Sequence, residues 1–392
     1  MSKSNETTPN VPTLRFKSFE QEWEYSTIGK CSISLEYGMN AAAKTYDGKH
    51  KYIRITDINE ETSAFDPNPL SSPDGEYEEK YLVKENDILF ARTGASVGKS
   101  YLYDTKDGEL YFAGFLIRAR IKHIYNGAFV YYQTKSKKYE KWVKLTSMRS
   151  GQPGINSQEY SSYTIGMTSR TEQDKIADFL LSLDRKIAVQ NKIISKYETL
   201  IKGIRHRIFS CVANRRMETL GSFLEEYSEK NTANNLQSVA VGKYGIRKRE
   251  DIYSKELSSD YSKNKVIRKD TLIIGMGSTQ IDIGILTTDN CYCVSPAYTT
   301  YRIKGIDSFY LQEYLIDLNP LLSVRYMVTS ARQGKAVNKD DLMQHHLAIH
   351  SDLEQEKIHQ FFQHIYGGLL IEKRMLSALQ KQKAFLIQSM FI

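Results

Sequence analysis

Arg92-Thr93-Gly94-Ala95-Ser96-Val97-Gly98-Lys99-Ser100 comes within one residue of a phosphate-cradling loop, in which backbone amides and a lysine hold a nucleotide's phosphates. The spacing G-x-x-x-x-G-K-[ST] needs glycine where Thr93 stands, and the following Tyr101-Leu102-Tyr103 reads as a strand rather than the required helix. Ser295-Pro296-Ala297-Tyr298 falls one proline short of the loop that holds a target adenine for amino-methylation, and no glycine-rich strand-to-helix turn accompanies it as a cofactor site. Pro73-Asp74 with Glu78-Glu79-Lys80 has the residue types of a metal-dependent nuclease, crowded into one loop. His345 and His346 are adjacent, and His359 and His364 sit on a helical stretch without the i, i+4 pairing of a zinc hydrolase. Nothing here is arranged to activate water or a nucleophile, so no catalytic centre, cofactor or metal is expected in this chain.

The remaining polar chemistry lies in loops that come in pairs. RTGASVGKS (92–100) and GMGSTQIDIG (275–284) each leave a strand, while RSGQPGIN (149–156) and RQGKAVN (332–338) each end in asparagine. Arg92, Arg149 and Arg332 have the donors to address guanine, and Gln152, Asn156, Gln280, Gln333 and Asn338 the amides to address adenine. Thr93, Ser96, Lys99, Ser150, Ser278, Thr279 and Lys335 complete the candidate DNA-binding set. A turn or backbone-bonding role competes for each. Between residues 118 and 149, Arg118, Arg120, Lys122, Lys135, Lys137, Lys138, Lys141, Lys144 and Arg149 face a single acid, Glu140. Phosphates are the natural counter-surface, with a solvated helix face as the competing account.

Two long helices must position these loops. SRTEQDKIADFLLSLDRKI from Ser169 returns in altered form as SDLEQEKIHQFFQHIYGGL from Ser351, an offset of 182 that also pairs Asn156 with Asn338 and Phe209 with Phe391. Each copy opens Ser-x-x-Glu, the spacing of a helix-starting capping box. Alternating steps of four and three then select Ile176, Leu180, Leu183, Ile187, Gln190, Ile194, Tyr197, Ile201, Ile204 and Ile208, a heptad seam repeated from Ile358 to Met390. The one polar rung is shared, Gln190 and Glu372, and Gly203, Gly367 and Gly368 are points where a kink is expected. A seam of some forty residues spans roughly 60 Å, too long for one small domain, so each helix is expected to pack on the other. Before each helix, runs such as KYIRITDI (51–58), NDILFAR (86–92), YFAGFLIRARI (111–121) and TLIIGMG (271–277) read as strands, and Phe129, Tyr132, Tyr139 and Val143 recur at helical spacing.

The bulk properties agree. With 392 residues, 41% hydrophobic and 26% charged, the chain has the composition of a folded protein of two or three domains. A net charge of +8 leans toward a polyanionic partner. Cys31, Cys211, Cys291 and Cys293 show no zinc-finger spacing and are expected as free thiols. The opening MSKSNETTPN has no apolar core and no run of eighteen apolar residues follows, so the cytoplasm is the expected location.

The order Trp23-Glu-Tyr-Ser-Thr-Ile-Gly, NDILFARTG, SGQPGIN and EQDKIADFLLSLDRKI resembles the specificity subunits of type I restriction-modification systems, over nearly the whole chain. The second copy departs from the pattern with RQGKAVN and EQEKIHQFF. The resemblance implies an α/β fold with a pseudo-twofold internal repeat. Target-recognition domains at 1–168 and 215–350 would be separated by long helices at 169–214 and 351–392, packed as an antiparallel coiled coil. It also implies double-stranded DNA as ligand, read as an asymmetric two-part site in the major groove. Two methyltransferase subunits would carry S-adenosylmethionine, and restriction or translocase subunits ATP and Mg. A stand-alone adenine methyltransferase or nuclease is the rival reading, and a structural coiled-coil protein with basic domains is a second.

Overall fold

The computed structural model describes residues 10–148, 153–211, 215–242, 245–249, 260–330 and 334–392. The chain divides into two compact units, Met1–Asn191 with Arg374–Ile392, and Lys192–Lys373. Both long helices run unbroken, Arg170–Ser210 and Asp352–Ser389, so the glycines within them do not interrupt the α-helix. No helix of the described residues is long and apolar enough to cross a membrane.

In the first unit a four-stranded antiparallel sheet runs in the order Ser32–Tyr37, Leu116–Ile121, Asp87–Ala91, Ser100–Leu102. Its central strand is entirely buried, and the polar residue in it, Asp87, is held by Arg120 at 3.1 Å and by the Lys84 amide at 2.9 Å. Chain turns into this strand at Asn86, whose φ of 72° is a left-handed conformation that asparagine tolerates better than most side chains. The apolar spacing around Phe129 and Val143 resolves into two helices, Gly127–Gln133 and Lys137–Ser147. KYIRITDI is a strand only over Lys51–Ile53, giving way to a 3-10 turn at Ile55–Asp57.

The second unit builds the same sheet in the same order, Leu224–Tyr227, Thr299–Ile303, Thr271–Gly275, Asp282–Leu286. Asp270, at φ 62°, enters the strand as Asn86 does, and Thr271 Oγ1 takes the Arg268 amide where Asp87 takes that of Lys84. An α/β fold with a twofold internal repeat and two long helices is therefore what the sequence builds.

Within each unit the helices pair antiparallel. In the first, Ile176, Leu180, Leu183 and Ile187 share a core with Leu376, Leu379, Leu386 and Met390, and Lys383 meets Asp184 at 2.5 Å. In the second, Glu198 pairs with Lys373 at 2.7 Å, and Arg205, further along the first helix, meets Tyr366 on the preceding turns of the other. Burial of the heptad positions supplies the driving force, about 1.5–3 kcal/mol per large aliphatic side chain removed from water.

A glutamine fastens each domain to the helix that follows it. Buried Gln173 accepts from the Asn126 amide at 3.0 Å and donates to Thr168 O at 2.7 Å, while Asn126 caps the Gly127 helix through the Phe129 amide. Gln355, likewise buried, accepts from the Asp307 amide at 3.2 Å and donates to His350 O at 2.9 Å, and Asp307 caps the helix Ser308–Tyr326. The helix starts differ more. Glu354 reaches back to the Ser351 amide at 3.0 Å, whereas Glu172 is drawn away to Arg15 at 2.7 Å and to Thr168. Only the second copy has its glutamate closing the expected box.

Each unit also has a clamp joining its domain to both helices. Tyr132 donates to Asp184 at 2.7 Å and Lys383 pairs with the same carboxylate. In the other unit Glu313, fully buried, accepts from Arg205 at 2.8 Å and from Tyr366 at 3.0 Å. Asp184 and Tyr366 are 182 residues apart, so the phenol and the carboxylate have exchanged places between copies.

Candidate nucleic-acid interface

The first unit brings its two polar loops together. Arg92 continues the buried strand, and its carbonyl accepts from the Ile155 amide at 2.9 Å. Thr93 bridges Gly154, and the Gly94 amide donates to Pro153 O at 3.0 Å. Gly94 and Gly98 have φ of 73° and 87°, and a Cβ on Gly98 would stand 2.6 Å from Val143 Cγ1. Tyr160 locks the loop from beneath, donating to Ala91 O at 2.7 Å and accepting from the Gly98 amide at 3.1 Å, while Tyr139 donates to Gly98 O at 2.9 Å. Burial pushes both phenols well above the usual tyrosine range, so they remain neutral donors at any working pH.

Individual candidates fare differently. The Arg92 guanidinium lies over the Tyr37 ring, 4.7 Å from its centroid, which orients it without using its donors. Lys99 is committed to Ile58 O at 3.1 Å and to the Glu60 carboxylate. The Asn156 Oδ1 accepts from the Glu159 amide at 2.9 Å and Asn338 Oδ1 from the Asp341 amide at 3.4 Å, so both start short helices. Ser96 and Thr93 lie half-buried on the glycine loop. Arg149, Ser150, Gln152, Arg332 and Gln333 lie outside the described residues, and Lys335 is described as backbone, pairing with Thr329.

In the second unit Ser278 and Thr279 are exposed and Gln280 half-buried on the loop after Gly275. The loop is anchored from the helix Ser308–Tyr326, where Ser323 accepts from the Ile281 amide at 2.9 Å and Asn319 donates to Ile281 O at 2.9 Å. The hairpin Met327–Ser330 with Gly334–Val337 leads to Asn338, whose amide returns to Tyr326 O at 2.8 Å. Among the described residues no backbone bond joins this hairpin to the glycine loop, unlike the first unit.

The basic run also divides. Arg118 is buried beside Asp87 and pairs with Glu36, Arg120 is bound to Asp87, and Lys135 donates to Ser63 and to Ser100 O at 2.9 Å. These three hold the sheet and are corrected from surface to structural cations. Lys137, Lys138, Lys141 and Lys144 are exposed along one helix, whose buried side, Tyr139 and Val143, packs the glycine loop. Sequence reading missed Tyr37, Glu60 and Tyr160, because each acts from more than thirty residues away and none belongs to a local pattern.

Comparison with known proteins places these observations. Residues 20–199 match the family described as type I restriction modification DNA specificity domain. The crystal structure of a type I restriction-modification system S subunit from M. genitalium aligns over 97% of this chain and 99% of its own, at 18% identity and a TM-score of 0.60. A chain described under the structural basis of complex assembly and conformational transition of the type I R-M system aligns over 93% of this chain and 96% of its own, at 14% identity and a TM-score of 0.56. At such identities the likeness is one of fold.

Proposed function

We propose that this chain, whose residues 20–199 carry a type I restriction modification DNA specificity domain, reads a two-part DNA sequence and assembles the enzymes that act on it. The carrying observation is one frame built twice with unlike loops: the same four-strand order, the same entry turn and the same glutamine fastening, but RTGASVGKS against GMGSTQIDIG. Residues 1–168 and 215–350 are then the two target-recognition domains. Each offers its glycine loop and its asparagine-ended loop to a half-site in the major groove.

Arg92, Arg149 and Arg332 have the fork for guanine, and Gln152, Gln280 and Gln333 have the side-chain amides suited to adenine. Asn156 and Asn338, with Oδ1 engaged at helix starts, position the loops they end. Lys137, Lys141 and Lys144 contribute phosphate contacts. The long helices set the spacing of the half-sites and receive two methyltransferase subunits, with S-adenosylmethionine bound there, and restriction subunits bring ATP and Mg. In this reading the chain is non-catalytic and works in the cytoplasm.

Methylome sequencing of cells carrying this chain with its modification subunits tests the proposal. An interrupted motif, two short blocks around a fixed unspecified spacer, is the expected result. A single uninterrupted motif, or S-adenosylmethionine bound tightly by the purified chain alone, would replace it with the stand-alone enzyme.

A further inference from the structure

The two glycine loops return to their sheets in the same register. Ala91 exchanges backbone bonds with Lys99 and Gly98 across one strand pair, and Gly275 faces Asp282 across the other. With the central strands aligned through Asn86 and Asp270, Lys99 and Asp282 occupy one rung. A cation in one unit is thus replaced by an anion in the other.

Their surroundings are not alike. Lys99 is bound to Ile58 O and Glu60. Asp282 is half-buried, and no hydrogen bond or ion pair to its carboxylate occurs among the described residues. It lies against its own loop: a Cβ on Gly277 would stand 2.6 Å from Asp282 Oδ1 and 2.0 Å from Gln280 O, so only glycine leaves room for the carboxylate beside the backbone. Loss of water raises its pKa above the ordinary aspartate value. A desolvated acceptor without a donor is costly, and the cost is recovered when a donor arrives. Phosphates cannot be that donor. In the major groove the donors are the exocyclic amines, N4 of cytosine and N6 of adenine, and carboxylates characteristically meet the former.

We propose that Asp282 is a specificity-determining residue of the second unit, accepting a hydrogen bond from the exocyclic amine of a base, cytosine foremost, in the half-site that this unit reads. The assignment rests on the reading of the chain as a two-part DNA recogniser. The first unit has no counterpart, because a salt-bridged lysine fills the rung, so the preference belongs to one half-site only.

Selection from randomised duplexes by the assembled complex, comparing wild type, Asp282→Ala and Asp282→Asn, tests this. Wild type is expected to prefer an amine-bearing base at one position of one block. Asp282→Ala should weaken that preference about tenfold, and Asp282→Asn should move it toward adenine, whose N6 and N7 an amide meets together. The other block should stay unchanged in both variants, which also reports that the chain has folded. Unaltered preferences in both variants, or loosening spread equally over both blocks, overturn the assignment. If wild type recovers no two-part sequence at all, the functional reading falls and this assignment falls with it.

Discussion

Lys135 is the residue through which stability should answer to pH. Its ammonium, packed over Tyr131 and bonded to Ser63 and Ser100 O, is desolvated above all and repelled by Lys383, with a smaller attraction to Asp184 and a weaker repulsion by Lys99, and its pKa falls to about 7. The unfolded chain therefore holds a proton on this group, between about pH 7 and the ordinary lysine value, that the folded chain does not. Stability conferred by Lys135 should rise across that window, so the difference between wild type and Lys135→Met, followed by urea unfolding at pH 7, 8.5 and 10, is expected to move in favour of wild type. A difference that stays flat would show the lysine is solvated. Glu313→Ala should cost about 3–5 kcal/mol in the same assay, since it strands the Arg205 guanidinium. At this scale the sequence was half legible. It offered Asn156 and Asn338 as base readers and Lys99 as a DNA contact by residue type, yet what each bonds to is set by Glu159, Asp341 and Glu60.

Among the elements, the helices were the easiest to read, because a heptad is a local pattern and needs no knowledge of what lies across from it. Every rung chosen for the first helix is buried or half-buried, Gln190 included. Leu180→Ala and Phe362→Ala should each cost about 2–5 kcal/mol by calorimetry or denaturant, whereas Val189→Ala, at a neighbouring exposed position, should stay within about 0.5 kcal/mol. Comparable losses from all three would mean that the seam had been misplaced. The sheets were harder. Strands Asp87–Ala91 and Leu116–Ile121 were both visible as runs, but the outer strand Ser32–Tyr37 was not, and alternation alone does not say which strand a given one pairs with. The break of KYIRITDI into strand and 3-10 turn follows from Asp57, whose carboxylate takes the Arg54 amide and side chain and bends the chain there.

For the whole molecule, the constant offset of 182 carried more than any single motif, since it announced two copies before either had been given a shape. It also bears a prediction. Seven residues inserted after Gln190, together with seven at the facing turn of the second helix, should lengthen the unspecified spacer while both blocks keep their bases, as methylome sequencing would show; changed bases with an unchanged spacer would contradict it. A duplicated architecture nonetheless carries a hazard, for each domain meets two helices that resemble each other and could clasp the wrong one. The exchanged clamps resolve it. A domain bearing Glu313 set against Asp184 would press two carboxylates together, and one bearing Tyr132 set against Tyr366 would leave a cation facing two phenols with no counter-charge. Mismatched halves would thus lose the one-to-one balance of charge and phenol that the correct halves satisfy, so the repeated frame carries its own register.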